Sequence, residues 1–319
     1  MSKIQTVLGA IEAEEIGATN IHDHLYRDCG KQVDDDDDFR MDDVDKLALE
    51  LQAFYDAGGR CMVDAEPIGS RGVRALVEIA QRVPVHVIAT TGFHKSSLYF
   101  NNFWGRHYSL DEIVPLLVAE VEEGMDLHAY SGPLVKRSTA RAGVVKCGTS
   151  YQAIKAVEET WIRAAARTHL ATGVPIITHT DKGTMALELI EILASEGVDP
   201  RHVVIGHIDR NPDLGYHIEI AKTGAFLQYD GASRVKYYPD STIISLLFGM
   251  VEHGYGKQIV LAGDNGRASY IRSYGGGPGY TYILETFVPR LRRQGLDESV
   301  IQDLLVNNPR RALSFVGSA

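Results

Sequence analysis

An eight-stranded parallel barrel of β/α units, a TIM barrel in the α/β class, is the fold this sequence predicts, and three observations predict it. Eight short β-rich runs alternate with longer amphipathic runs over about 300 residues, the repeat such a barrel needs. The first run ends in His-Asp-His, where an open doubly wound sheet would be expected to carry a glycine-rich phosphate loop. Metal-ligating or basic residues recur at the C-terminal ends of the runs, which is where barrel enzymes keep their chemistry.

Strands are expected at 19–25, 60–65, 85–91, 142–147, 175–179, 203–207, 225–229 and 258–263. They are rich in Val, Ile and Thr and bounded by Gly, Pro, Asp or Asn. Helices are expected between them at 42–57, 71–81, 111–124, 150–172, 184–196, 213–223, 240–254 and 280–294. In 150–172 the residues Ala153, Ala156, Val157, Thr160, Trp161, Ala164 and Ala165 fall on one stripe. Gly173 and Pro175 then stop that helix. The tail 297–315 reads as two short helices that close the barrel. No low-complexity stretch divides the chain, and the glycine-rich segment 275–279 is too short for a linker. Residues 1–319 are therefore expected to form a single domain with C-terminal helices.

The composition, with 45% hydrophobic and 23% charged residues, is ordinary for a globular chain. No stretch approaches the roughly 18 apolar residues of a membrane span. The N-terminus, Met-Ser-Lys-Ile-Gln, lacks an apolar signal core. Cys29, Cys61 and Cys147 are odd in number and widely spaced, which favours reduced thiols and a cytoplasmic protein. A net charge of −10 argues against nucleic acid or an anionic membrane as partner. The run Asp34 to Asp38 reads as a solvated loop, with metal binding as the alternative.

Six strand-end residues carry the chemistry: His22, His24, Lys146, His179, His207 and Asp264. His22 and His24 are two apart on a strand, so both rings point to one side, into the barrel mouth. Four histidines and an aspartate suit a borderline divalent metal. A lysine in the apolar run Ala-Gly-Val-Val-Lys is costly to bury charged, so its neutral amine is favoured. That amine could take up carbon dioxide as a carbamate that bridges two metals. Alternatively it pairs with a carboxylate or a substrate anion. Cys147 should face away from the mouth as a small buried hydrophobe.

This pattern resembles the amidohydrolase superfamily, and the surrounding words resemble its phosphotriesterase family over roughly residues 15–316. Those words are Ala-Arg-Ala-Gly-Val-Val-Lys, Ala-Thr-Gly-Val-Pro-Ile-Ile-Thr-His-Thr, Val-Val-Ile-Gly-His-Ile-Asp and Asn-Asn-Pro-Arg-Arg. The resemblance implies two divalent metal ions, zinc first, with manganese or cobalt as alternatives. His22, His24 and Asp264 would bind the more buried ion and His179 and His207 the more exposed one. Carbamylated Lys146 would bridge them. Two metals about 3.5–4 Å apart can hold a hydroxide that attacks a carbonyl or phosphoryl centre, with Asp264 as proton shuttle. The family commonly forms dimers, so a homodimer is a further expectation.

The catalytic-side loops narrow the substrate. They hold Asp181-Lys182, Asp209-Arg210, Arg234, Lys236, Tyr237, Arg267, Tyr270 and Arg272. Arginine forks with lysine and tyrosine donors suit an anion, and barrels often build phosphate sites from loops seven and eight. A neutral phosphotriester or acyl-homoserine lactone would want an apolar pocket instead. The words Gly-His-Ile-Asp-Arg-Asn-Pro-Asp, Gly-Ala-Phe-Leu-Gln-Tyr-Asp-Gly and Tyr-Gly-Gly-Gly-Pro-Gly-Tyr look like the branch that hydrolyses phosphorylated sugar lactones. The implied reaction is the opening of a 1,4-lactone 5-phosphate, with Arg234, Lys236, Tyr237 and Arg272 as phosphate contacts. His94 and Lys95 could contact the sugar or the leaving oxygen, although His94 also reads as a plain loop histidine. Arg210 stands where phosphotriester hydrolases tend to keep an acidic relay residue, and is counted with the substrate-binding residues. The alternatives are a phosphotriesterase, an acyl-homoserine lactonase, and a non-catalytic metal-binding barrel.

Overall fold

The computed structural model describes residues 2–316. An antiparallel hairpin, β1 (Lys3–Thr6) and β2 (Gly9–Glu12), comes first. Eight strands follow: β3 (Ala18–Asp23), β4 (Gly59–Asp64), β5 (His86–Gly92), β6 (Ala142–Thr149), β7 (Ile176–Thr180), β8 (Val203–Ile205), β9 (Phe226–Tyr229) and β10 (Ile259–Leu261). They lie parallel and pair in chain order. The two outer strands meet where the Asp264 N–H donates to His22 O at 2.9 Å and the Gly263 N–H to Asn20 Oδ1 at 3.1 Å. The predicted barrel is the observed architecture.

Its interior explains why the polar residues gather at one end. Ile21, Val63, Ile88, Val144, Ile177, Val204, Phe226 and Val260, one from each barrel strand, fill the inside as a buried apolar layer. Each such side chain contributes roughly 1.5–3 kcal/mol when removed from water. With the floor filled by hydrocarbon, only the C-terminal mouth is left for charge. The hairpin lies against the same floor: the Val7 N–H donates to Val87 O at 2.9 Å. A Cβ on Gly143 would come within 2.2 Å of Gln5 O, so only glycine lets the hairpin approach. No pattern predicted this hairpin, because two four-residue runs are too short to stand out.

The helices are α1 (Lys31–Asp35), α2 (Val44–Asp56), α3 (Val73–Arg82), α4 (Leu110–Glu122), α5 (Ala156–Thr172), α6 (Ala186–Ser195), α7 (Leu214–Lys222), α8 (Asp240–Glu252), α9 (Val288–Arg293), α10 (Glu298–Gln302) and α11 (Asn308–Leu313). Three expectations need correction. The helix expected from 150 begins at Ala156, because the buried Glu158 carboxylate accepts from the Ser150 and Lys155 N–H groups and holds that stretch as a turn. The helix expected over 280–294 opens with a π turn at Ile283–Phe287. The tail is one continuous helical run, with a second π turn at Asp303–Asn307 between α10 and α11. Both π turns lead straight into a segment whose second residue is proline (Pro289, Pro309), which lacks the N–H that an α ladder needs.

Cys147 is buried in the layer between strands and helices together with Trp161, facing away from the mouth as expected. Among the described residues no helix is long and apolar enough to cross a membrane.

Candidate active site

The strand ends bring all six expected residues into one mouth. His207 and Asp264 have left-handed backbone, with φ of 63° and 47°. Such a conformation costs a non-glycine residue about 1–3 kcal/mol and persists only where its surroundings hold it. Here they do: the His207 N–H donates to Asp230 Oδ2 at 3.1 Å, and the Asp264 N–H to His22 O at 2.9 Å. Gly92, with φ +86°, lets β5 pass so close to β6 that a Cβ would meet Lys146 O at 2.2 Å. Lys146 is thereby held at the mouth, fully buried, its Nζ donating to Ala65 O at 2.8 Å.

Asp264 is the centre of the group. Its Oδ1 lies 3.2 Å from His24 Nε2 and 3.7 Å from His22 Nε2. The ligand atoms of His22, His24 and Asp264 fall within 4.8 Å of one another, and so do those of His207, Asp230 and Asp264. The His179 ring is 4.5 Å from that of His207 and 4.2 Å from that of His94. Although His179 is buried, neither of its ring nitrogens has a hydrogen-bond partner among the described residues. A buried polar group left so is expensive, and a ligand role for a divalent ion accounts for it. Burial holds His22 and His179 well below the ordinary histidine pKa, and His207 below it. Neutral imidazole is the form that binds metal. The residues present fit a metal centre.

Several residues behind the ligands were not singled out from the sequence. Glu66 accepts from His24 Nδ1 and Arg27. Asp230 Oδ2 lies 2.7 Å from His207 Nδ1, and Gln228 Oε1 3.3 Å from His22 Nδ1. Asp23 gathers the His24 and Asn265 N–H groups at 3.0 and 2.8 Å and the Asn20 amide at 2.7 Å. Burial raises its carboxyl to about 6 in spite of those donors. The signal was present: Glu66 and Asp230 are carboxylates just past strand ends, the same mark that picked out Asp264.

The mouth opens into a cavity of about 270 Å³ lined by His24, His94, His179 and His207. Lys95 lines it too and pairs with Asp181 at 2.6 Å. Cations line it as well. Arg210 bonds Asp264 Oδ2 and lies 2.7 Å from Asp230 Oδ1, with its guanidinium over the Tyr237 ring. Arg234 donates to Gly263 O at 2.7 Å and stands 3.6 Å from Asp264 Oδ2. Lys236 Nζ donates to Tyr270 OH at 3.1 Å, and among the described residues it makes no salt bridge.

Arg272 is a correction. It does not line the cavity; its half-exposed guanidinium pairs with Glu285 at 3.3 Å, because the turn at Arg272–Tyr274 directs it to the outer surface. The aspartate run is largely exposed, but it is not the expected loop: Asp34 and Asp35 end α1, where Lys31 pairs with Asp35 one turn on, and Asp37 and Asp38 begin a 3-10 turn. Asp36 and Asp38 bind Arg267 at 2.6 and 3.1 Å, and Asp38 accepts the Ser269 N–H at 2.8 Å. The loop after β3 is tied in this way to the loop after β10.

Residues 2–313 match the model of the phosphotriesterase family. A phospho-furanose lactonase of Mycoplasmopsis agalactiae is 42% identical over 98% of this chain and 91% of its own. The crystal structure of an amidohydrolase from Mycoplasma synoviae superposes with a TM-score of 0.97 at 41% identity, covering 100% of this chain and 93% of that one. A lactonase from Listeria monocytogenes superposes with a TM-score of 0.92 at 36% identity, over 99% and 100% of the two chains. On a barrel whose strand ends converge in this way, these matches have one meaning: the chain is a hydrolase and belongs to the phosphotriesterase family.

Proposed function

We propose that the chain is a lactonase that opens an anionic sugar lactone, a 1,4-lactone 5-phosphate first, to the phosphorylated sugar acid. Two divalent cations would be held by His22, His24 and Asp264 on one side and His179 and His207 on the other, with Lys146 between. When bound, such a pair supplies water activated at neutral pH and polarises the carbonyl under attack. Burial lowers the Lys146 amine to about 8. Roughly a tenth of it is then neutral at pH 7, available to bond carbon dioxide and release a proton as it becomes a carbamate.

The chain's own groups do the rest. The Asp264 carboxylate takes the proton of the attacking water and delivers it to the ring oxygen that leaves. Burial opposes the charge on Asp264, but Arg234 and Arg210 hold it ionised, well below the usual carboxylate range. His94 and Lys95 border the lactone ring. Arg234, Lys236, Tyr237 and Tyr270 hold the phosphate, with Arg210 closing the gap between them and Asp264.

The observation that carries this reading is the set of cations lining the cavity, Arg210, Arg234 and Lys236, of which the exposed Lys236 has no carboxylate partner among the described residues. Its ammonium stands 5.0 Å from the Tyr237 ring centre and 5.6 Å from that of Tyr270. The test is a pH-indicator assay over phosphorylated and plain sugar lactones, with a phosphotriester as control and inorganic phosphate as competitor. Millimolar phosphate is expected to inhibit. Lys236→Ala is expected to raise KM for the phosphorylated lactone about tenfold or more, a loss of about 1.4 kcal/mol or more. The unphosphorylated twin should be nearly unaffected. Equal effects on both lactones, or indifference to phosphate, would remove the anion site.

A further inference from the structure

His24 and His207 are backed alike. Each turns Nδ1 to a fully buried carboxylate, Glu66 or Asp230, and each carboxylate is held in turn by an arginine, Arg27 or Arg210. His22, from the same strand end as His24, turns Nδ1 to the neutral amide oxygen of Gln228. Glu66 lies two residues beyond β4, with Oε1 shared by His24 and Arg27 and Oε2 accepting from Ser70 Oγ at 2.6 Å. Arg27 is anchored as well, donating to Gly266 O at 3.0 Å and to Phe39 O at 3.3 Å. The carboxylate therefore has little freedom to swing.

An ionised carboxylate only accepts, so the proton of a neutral His24 must sit on Nδ1. Arg27 also lies 3.2 Å from Nδ1, but a nitrogen whose proton is aimed at the nearer carboxylate has no lone pair to offer it. The lone pair is left on Nε2, the atom that stands 3.2 Å from Asp264 Oδ1. We infer that Glu66 is a positioning residue that fixes the tautomer and ring plane of His24 as a metal ligand, with Arg27 balancing its buried charge. The inference rests on the metal-centre reading above. It makes one cation depend on Glu66 while the cation at His179 and His207 does not.

The experiment compares the metal-loaded wild type with Glu66→Gln and with the double variant Glu66→Gln/Arg27→Met. Zinc per chain is measured by elemental analysis, its affinity by chelator competition, and melting temperature alongside. One of the two zinc ions is expected to bind about 10- to 100-fold more weakly in both variants, the usual effect of losing such a partner. A purely structural Glu66 would lower the melting temperature and leave zinc affinity unchanged, which would overturn the inference. Should the single variant fail to fold, the double variant decides, because it removes both buried charges together. A wild type that binds no zinc would sink the metal-centre reading itself. A wild type that binds two ions no more tightly than the variants would sink only the role of Glu66.

Discussion

Asp264→Asn is expected to leave a folded barrel that turns over about 10²- to 10⁴-fold more slowly, the range that a lost proton-transfer group commonly costs. Asparagine is the right probe because Asp264 has φ 47°, a conformation that Asn tolerates better than most residues. The substitution keeps the shape and removes the charge. Breaking a buried ion pair costs about 3–5 kcal/mol when a partner is left bare, and asparagine softens that cost because its side-chain oxygen can still accept from the arginines. Arg210 keeps Asp230 at 2.7 Å, whereas Arg234 keeps only the neutral Gly263 O at 2.7 Å and loses its carboxylate partner, so a moderate drop in melting temperature is expected with the fold retained. Circular dichroism should therefore report a native fold while the steady-state assay reports the loss. Near-normal turnover would take the proton role away from Asp264. Asp264→Ala should lose similar activity and also about 1 kcal/mol or more of stability, since alanine has no preference for the left-handed region.

The barrel was legible because each strand announces itself twice. Val144, Ile177 and Val204 sit in β-forming runs bounded by turn residues, and each run leads on to a chemical residue, Lys146, His179 or His207. What escaped was structure decided by single long-range contacts. The start of α5 depends on where Glu158 finds its donors, and one of them, Ser96, lies 62 residues away. The two π turns depend on what proline does to a helix already packed, and helical periodicity does not carry that information.

The gathering of the six strand-end residues was legible for a related reason. A histidine or aspartate at a strand end has few structural uses, so its type and place together point to one shared mouth. The next layer was not, because Glu66, Asp230 and Gln228 acquire meaning only from the ring they face. Among the basic loop residues the sequence could give proximity but not direction. Lys236 and Arg272 look alike along the chain, yet one meets Tyr270 in the cavity and the other meets Glu285 outside it. The aspartate run shows the converse: a segment with no ligand spacing still anchors Arg267 beside the cavity.

Lys146→Met should lose most of the bound metal, and the activity with it, while the metal-free protein stays at least as stable as the metal-free wild type. The two effects have opposite signs for one reason. Lys146 is fully buried, and the only hydrogen bond its Nζ makes in the described structure is to Ala65 O. As a free ammonium it is a charge removed from water with little in return, which is why burial lowers it to about 8. Methionine fills the same space without that charge, and it leaves one carbonyl unpaired at a cost of about 1–3 kcal/mol. Alanine would open a cavity as well, so Lys146→Ala should lose metal and stability together. A buried lysine kept for packing predicts the reverse for methionine, with metal content unchanged. Elemental analysis beside thermal melts of the metal-free proteins separates the two. Metal at wild-type levels in Lys146→Met would reduce Lys146 to a plain cation at the barrel mouth.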